Sequence, residues 1–376
     1  FKYRSIKMFS FNKLYQIQVE ITNRCQASCP MCLRNIHGGI ENPLLKLNDW
    51  TLEQFKTIFN KEVLTQTKNI NFCGDFGDPI INLDLIDMCQ YVKDNSVASI
   101  SIHTNGSARS IDWWKQLASA LPAEHNVEFA LDGLADTHSL YRVGTSYNTI
   151  IRNASAFIQA GGNAHWMFIK FKHNEHQLDA ARQQASDLGF TAFNFKSSKR
   201  FGKQFPVLDK KGNTAYYLEQ HSKSDISPVE FNDLKDYKKW KVDVSCFAHE
   251  SKELYIDAHG HLMPCCLIAS FLYANYDTTL HSKYDLIDST SIVSIAKEVQ
   301  DEVYNLINEF GGLDSLNANI HGIKHIMDQP VWQTLIHKKW SEHSSSPCTI
   351  LCGKASPYIK IDEQLNRDDL IVKSNL

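Results

Sequence analysis

The sequence has no apolar run near the roughly 20 residues that cross a bilayer, and no signal-peptide pattern opens it. Both absences point to a cytoplasmic chain. A bulk charge is missing too. The 39 Lys and Arg stand against 42 Asp and Glu, a net charge of −3, so no overall field favours nucleic acid or a membrane surface. Without a secretory signal, the ten cysteines read as metal ligands rather than disulfides. At 376 residues the chain has room for two or three domains of about 150 residues each, or for one barrel with an appendage.

The cysteines are unevenly placed. Cys25, Cys29 and Cys32 fall in a C-x3-C-x2-C run directly after an alternating stretch, Tyr15 to Thr22, that predicts a strand. No fourth cysteine follows nearby. Three thiolates on a short loop suit three corners of a cubane [4Fe-4S] cluster and leave one iron open, whereas structural metal sites are closed by four protein ligands. The alternative is a zinc site completed by His37, five residues past Cys32.

Downstream, strand and helix patterns alternate. Strands are predicted at Asn69–Cys73, Ala98–His103, Val127–Leu131, His165–Phe171 and Phe190–Phe195. Helical faces lie between them, the first opened by a Thr51/Gln54 capping box. Six such repeats between residues 14 and 200 predict an α/β fold with a parallel sheet and right-handed crossovers, too few units to close an eight-stranded barrel.

The cysteine spacing and several strand ends resemble the radical S-adenosylmethionine (SAM) enzymes. The resemblance implies an open partial (β/α)6 TIM-like barrel over residues 1–200, with catalytic Cys25, Cys29 and Cys32 holding the cluster. Its open iron would chelate SAM, and one electron would yield methionine and a 5′-deoxyadenosyl radical that abstracts hydrogen from a substrate. Met31 belongs to the same loop and is expected at the cofactor. Gly77-Asp78-Pro79 is similar to the family's Gly-Glu-Pro turn with Asp for Glu, and is expected at the SAM amino group. The strand end Thr104-Asn105-Gly106 and the pair Asp132-Gly133 match further SAM-facing positions, although Ala130 stands where serine is usual. Arg142 is expected at the SAM carboxylate, for which a guanidinium fork is suited, and Asn174 at the adenosine.

A second cysteine set follows residues 201–241, which read as a linker with two basic, aromatic segments, 196–203 and 235–241. Such segments grip nucleic acid less often than they form solvated surface. Cys246, Gly260 and Cys265 follow a C-x13-G-x4-C spacing around a predicted hairpin. This resembles the start of the SPASM and twitch domains of the same enzymes. Residues 242–376 would then form a small α+β twitch-like domain with a helical insertion at about 267–347. Cys246, Cys265, Cys348 and Cys352 are expected to hold one auxiliary [4Fe-4S] cluster, with a closed zinc site as the alternative. Cys266 is left over, because adjacent residues on a strand point to opposite faces. Cys73 and Cys89 are expected in the core.

The reading is of an oxidoreductase-type enzyme using SAM and a reductant such as flavodoxin or ferredoxin. A peptide or protein substrate ranks first. A small-molecule alcohol, RNA modification and a non-catalytic iron–sulfur scaffold are the rivals.

Overall fold

The computed structural model describes residues 9–198, 204–222, 246–275, 287–309, 311–329, 332, 348, 352 and 366–369. Its frame is one mixed sheet. β1 (Gln16–Val19), β4 (Asn69–Phe72), β5 (Ser99–Thr104), β6 (His125–Ala130), β7 (Ala164–Lys170) and β8 (Ala192–Ser197) lie side by side, all parallel. The short ribbon β2 (Asn35–Ile36) and β3 (Ile40–Glu41) follows the cysteine loop. Crossovers are supplied by α1 (Leu52–Ile58), α2 (Lys61–Gln66), α3 (Leu85–Asn95), α4 (Ile111–Ala120), α5 (His138–Tyr141), α6 (Tyr147–Gln159) and α7 (Leu178–Leu188). This is the open partial barrel of parallel strand–helix units that the sequence predicts. The Thr51/Gln54 capping box is formed.

The strands have two unlike faces. On β4 and β5, Ile70, Phe72, Ile100, Ile102 and Thr104 are buried, while Asn69, Asn71, Ser99, Ser101 and His103 stay half-exposed. The buried face packs under the helices around stacked and edge-on rings, among them Phe55, Phe59 and Phe72, then Trp114, Phe129 and Phe157. Truncating one such ring to alanine typically costs about 3–5 kcal/mol. The opposite face is polar and lines the inside of the half-barrel.

Two features extend the frame beyond the six repeats. The strand β11 (Glu253–Ile256) pairs parallel with β1, in the register Gln16–Glu253 to Val19–Ile256. The carboxy-terminal sequence thereby continues the sheet past its first strand, and β12 (Leu262–Met263) closes that edge antiparallel as the predicted hairpin. At the other edge β13 (Asn366–Asp369) runs antiparallel to β8. The segment read as linker contains a hairpin, β9 (Gln204–Leu208) and β10 (Thr214–Glu219). The helical insertion expected at about 267–347 holds helices over Cys266–Tyr273 and Ile287–Asn308. The basic segment 235–241 lies outside the described residues.

Candidate active site

The cysteine loop leaves the carboxyl end of β1, where chemistry sits in parallel α/β folds. It is strapped down on all sides. Thr22 Oγ1 donates to Asp49 Oδ1 at 2.5 Å, Arg24 Nε donates to Asp49 Oδ2 at 2.6 Å, and the Ser28 amide bonds the Val143 carbonyl at 2.8 Å. A Cys29–Cys32 backbone turn of 3.0 Å folds the last two cysteines together.

Each thiol meets a different group. Cys25 Sγ accepts from the Ala27 amide at 3.4 Å and from Asn105 Nδ2 at 3.6 Å. Buried Cys29 lies 3.9 Å from Arg142 Nη1, and Cys32 Sγ lies 3.9 Å from the Asp75 carbonyl. Burial pushes the Cys25 and Cys29 thiols up, while the Arg142 cation pulls Cys29 back toward the thiolate. Cys29 and Cys32 also act electrostatically on Cys25. That donor set fits a cluster with three protein-held corners. His37 has another role: its ring stacks on Phe205 at 4.3 Å, and its Nδ1 bonds the Pro206 carbonyl at 2.8 Å. Among the described residues no three His, Cys, Asp or Glu converge as ligands of a single metal ion do.

The turn after β4 lies against this loop. A Cβ on Gly77 would sit 1.9 Å from the Thr22 carbonyl oxygen, so only glycine lets the two backbones approach. The Asp78 amide bonds the Arg24 carbonyl at 2.9 Å. The buried Asp78 carboxylate accepts from Thr104 Oγ1 at 2.8 Å, the Asn105 amide at 2.7 Å and Asn105 Nδ2 at 2.5 Å. It also caps the short helical turn Pro79–Ile81 through the Ile80 amide. Gly77, Asp78, Pro79, Thr104 and Asn105 are thus brought together, and Asn105 touches both Asp78 and Cys25.

Asp132 and Arg142 form a buried pair on the third side, with Nε to Oδ2 at 2.5 Å. The second Asp132 oxygen accepts from the Ile169 amide, tying the ends of β6 and β7. Asn174 is fully buried and spends both ends of its amide on the Phe171 amide and the Ile169 carbonyl, a brace for the end of β7. Met31 is buried with Tyr141, Phe171, Val207 and Leu218, so the β9–β10 hairpin packs against the cysteine loop.

Two features were not singled out by sequence reading. The first is Glu20, which looked like one more polar residue of an alternating strand. Its Oε1 accepts from the Phe76 and Gly77 amides, each at 2.8 Å, and its Oε2 from Tyr255 Oη at 2.9 Å. The second is the polar inner face, where His103 Nδ1 donates to Glu128 Oε1 at 2.9 Å and Asn194 Nδ2 donates to Glu128 Oε2 at 2.9 Å. Glu128 is held down at about 2, against burial, chiefly by His103.

The carboxy-terminal cysteines differ in their surroundings. Cys246 and Cys352 both act electrostatically on Cys265, and Cys246, Cys265 and Cys348 share one apolar core. Cys265 and Cys266 do not sit on a strand as expected: Cys265 caps the helix that Cys266 opens (Cys266–Tyr273), and Cys266 senses Asp75, Cys265 and Cys73. Cys89 is wholly buried, whereas Cys73 is only half-buried at the end of β4.

No family model matches the chain. Among solved structures it is similar to anSMEcpe with bound AdoMet, at 12% identity, 93% of this chain, 95% of that chain and a TM-score of 0.51. The same protein with AdoMet and the Cp18Cys peptide gives 13% identity, 93% and 94% coverage and a TM-score of 0.50. By sequence, the chain is 26% identical over 121 residues to a 7,8-dihydro-6-hydroxymethylpterin dimethyltransferase of Methanocaldococcus jannaschii. That match covers 31% of this chain and 22% of the relative, so the chain spans about a fifth of that relative's length. At this identity the likeness to anSMEcpe shows a shared fold, and this chain carries its C-x3-C-x2-C loop at the end of the first strand of that fold.

Proposed function

We propose that the chain cleaves SAM reductively and abstracts a hydrogen atom from a substrate held in the open half-barrel. The carrying observation is that Cys25, Cys29 and Cys32 are grouped at the carboxyl end of β1, with Asn105 and Arg142 already at two of the sulfurs. Cys25, Cys29 and Cys32 would hold a [4Fe-4S] cluster there, which would supply the reducing electron for SAM cleavage. The chain's own residues hold and frame SAM. Gly77, Asp78 and Pro79 shape the turn, Thr104 and Asn105 lock it to β5, and Asp132 orients Arg142 toward the cofactor carboxylate. Met31, by contrast, packs behind the loop, and Asn174 braces β7.

A peptide or protein substrate is the first reading for the reacting partner. The similarity to anSMEcpe with a bound peptide supports it, as does a half-barrel whose inner face offers Asn, Ser, His and Glu rather than a packed apolar core. Cys246, Cys265, Cys348 and Cys352 would hold an auxiliary [4Fe-4S] cluster. Electrostatic coupling of Cys265 to Cys246 and Cys352 supports three members of that set. A flavodoxin- or ferredoxin-type protein would supply the electron.

The test is anaerobic reconstitution with iron and sulfide, then a dithionite-driven SAM cleavage assay. Two clusters predict about eight irons in wild type and about four in the Cys25→Ala/Cys29→Ala/Cys32→Ala variant, with 5′-deoxyadenosine formed by wild type alone. Zinc in place of iron, or full clusters without SAM cleavage, would leave a scaffold instead of an enzyme.

A further inference from the structure

The Glu20 carboxylate bonds two separate segments at once, the 74–79 turn and β11. It stands at the end of β1 and is 2% exposed. One oxygen holds two successive amides of the 74–79 turn, and the other holds the Tyr255 hydroxyl on β11. A Cβ on Gly74 would meet Glu20 Oε1 at 2.5 Å, so the turn is wrapped tightly around this group. From the turn a continuous chain of bonds runs through Asp78 to Asn105 and on to Cys25 Sγ. A single side chain therefore joins the carboxy-terminal strand to the 74–79 turn, and Asp78 and Asn105 carry the connection on to the cysteine loop.

We propose that Glu20 is a positioning residue that couples β11 to the turn at the SAM site and thereby sets SAM affinity. The inference rests on the radical SAM reading of the Gly77–Pro79 turn. A carboxylate accepting three hydrogen bonds is suited to this task in its ionised form. Protonation would turn one acceptor into a donor facing the Tyr255 hydroxyl or an amide that already donates.

The environment makes that exchange accessible near neutrality. Burial raises Glu20 from its ordinary 4.5 to about 7, opposed by the Phe76 and Gly77 amides and the Tyr255 hydroxyl. The titratable groups around it come from several elements: Cys73 at the end of β4, Tyr255 and Asp257 on or after β11, and Tyr273 on the helix Cys266–Tyr273. Asp257 adds to the upward push as a nearby like charge. It is itself held below the usual carboxylate range by His261 and Tyr273, against its burial.

The sign follows directly. A carboxyl whose folded pKa is raised contributes stability while protonated and loses it as pH rises from about 4.5 through about 7. The ionised form at pH 8 is the less stable form and, on this proposal, the one that binds SAM. Activity-bearing groups are commonly retained at such a cost to stability.

The experiment uses reconstituted, oxidised holoenzyme and labelled SAM in equilibrium dialysis between about pH 6 and 8.5, so that no turnover is needed. Wild-type affinity per loaded cluster should fall as pH drops through about 7. Glu20→Gln should bind SAM about tenfold more weakly at pH 8, lose the pH break, and melt no earlier than wild type. Tyr255→Phe removes a bond to the ionised form, and should move the break to higher pH. If Glu20→Gln keeps wild-type SAM affinity and the same break, the coupling role is overturned. It is equally overturned if that variant merely melts earlier while binding normally per cluster. Failure of wild-type holoenzyme to bind SAM at all would instead overturn the reading on which the inference rests.

Discussion

Arg142 Nε donates to Asp132 Oδ2 at 2.5 Å, and its Nη1 lies 3.9 Å from Cys29 Sγ. One guanidinium thus faces a buried carboxylate and the Cys29 thiol at once. Asp132 is fully buried and the Arg142 side chain is 17% exposed. Removing one member of such a pair leaves the other charge uncompensated, which typically costs about 3–5 kcal/mol. Arg142→Met should therefore destabilise the apoprotein by that order in urea titration. The double variant Arg142→Met/Asp132→Leu should recover a large part of the loss, because no charge is then stranded. Arg142→Lys, which keeps the charge but not the fork, should retain most of the stability and lose SAM affinity.

The fold was legible wherever one residue's neighbours in sequence are also its neighbours in space. Ile70, Phe72, Ile100 and Ile102 alternate with polar residues because one sheet face is packed and the other open, and that period of two is local. Thr51 and Gln54 are likewise three residues apart. The pairing of Val19 with Ile256 is not local, and no pattern in either strand names its partner. Glu20 was missed for the same reason. Its role comes from Phe76, Gly77 and Tyr255 meeting on it, and in sequence it only continues the polar phase of a strand. The β9–β10 hairpin did carry a signal, an Asp209–Gly212 turn between short strands, but the basic residues around it read as linker.

Neighbouring Cys265 and Cys266 should behave differently. Cys265 is coupled to Cys246 and Cys352, while Cys266 is coupled to Cys73 and Asp75 in addition to its neighbour. Cys265→Ala should lower the reconstituted iron count by about four, the content of one cubane cluster. Cys266→Ala should leave it unchanged. Equal losses from both substitutions would sink the assignment of Cys265 as the ligand.

Gly77→Ala tests the close approach of the turn to the cysteine loop. The added methyl would lie 1.9 Å from the Thr22 carbonyl oxygen and 2.8 Å from Asn23 Cα. These are backbone atoms, so relief requires the turn and loop to separate. Overpacking of this kind costs about 1–3 kcal/mol or more. The variant should melt earlier than wild type and, after reconstitution, bind SAM more weakly per loaded cluster, since Asp78 and Asn105 would shift with the turn.

Glu128 offers a test of the polar inner face with its sign reversed from that of Glu20. Its folded pKa is lowered from 4.5 to about 2 by His103 and Asn194. A depressed carboxylate contributes stability that is present above about 4.5 and is lost as pH falls toward about 2. The shift corresponds to an upper bound of about 3 kcal/mol, and the His103 side chain is 39% exposed, so solvent screening should reduce this to about 1–2 kcal/mol. Glu128→Gln should therefore be less stable than wild type by that amount at pH 7 in urea titration, with the gap closing as the titration is repeated at lower pH. Basal SAM cleavage by the reconstituted variant should be unchanged, because the pair touches neither the cysteines nor the 74–79 turn. A gap that stays constant down to about pH 2 would assign the loss to packing rather than to the ion pair.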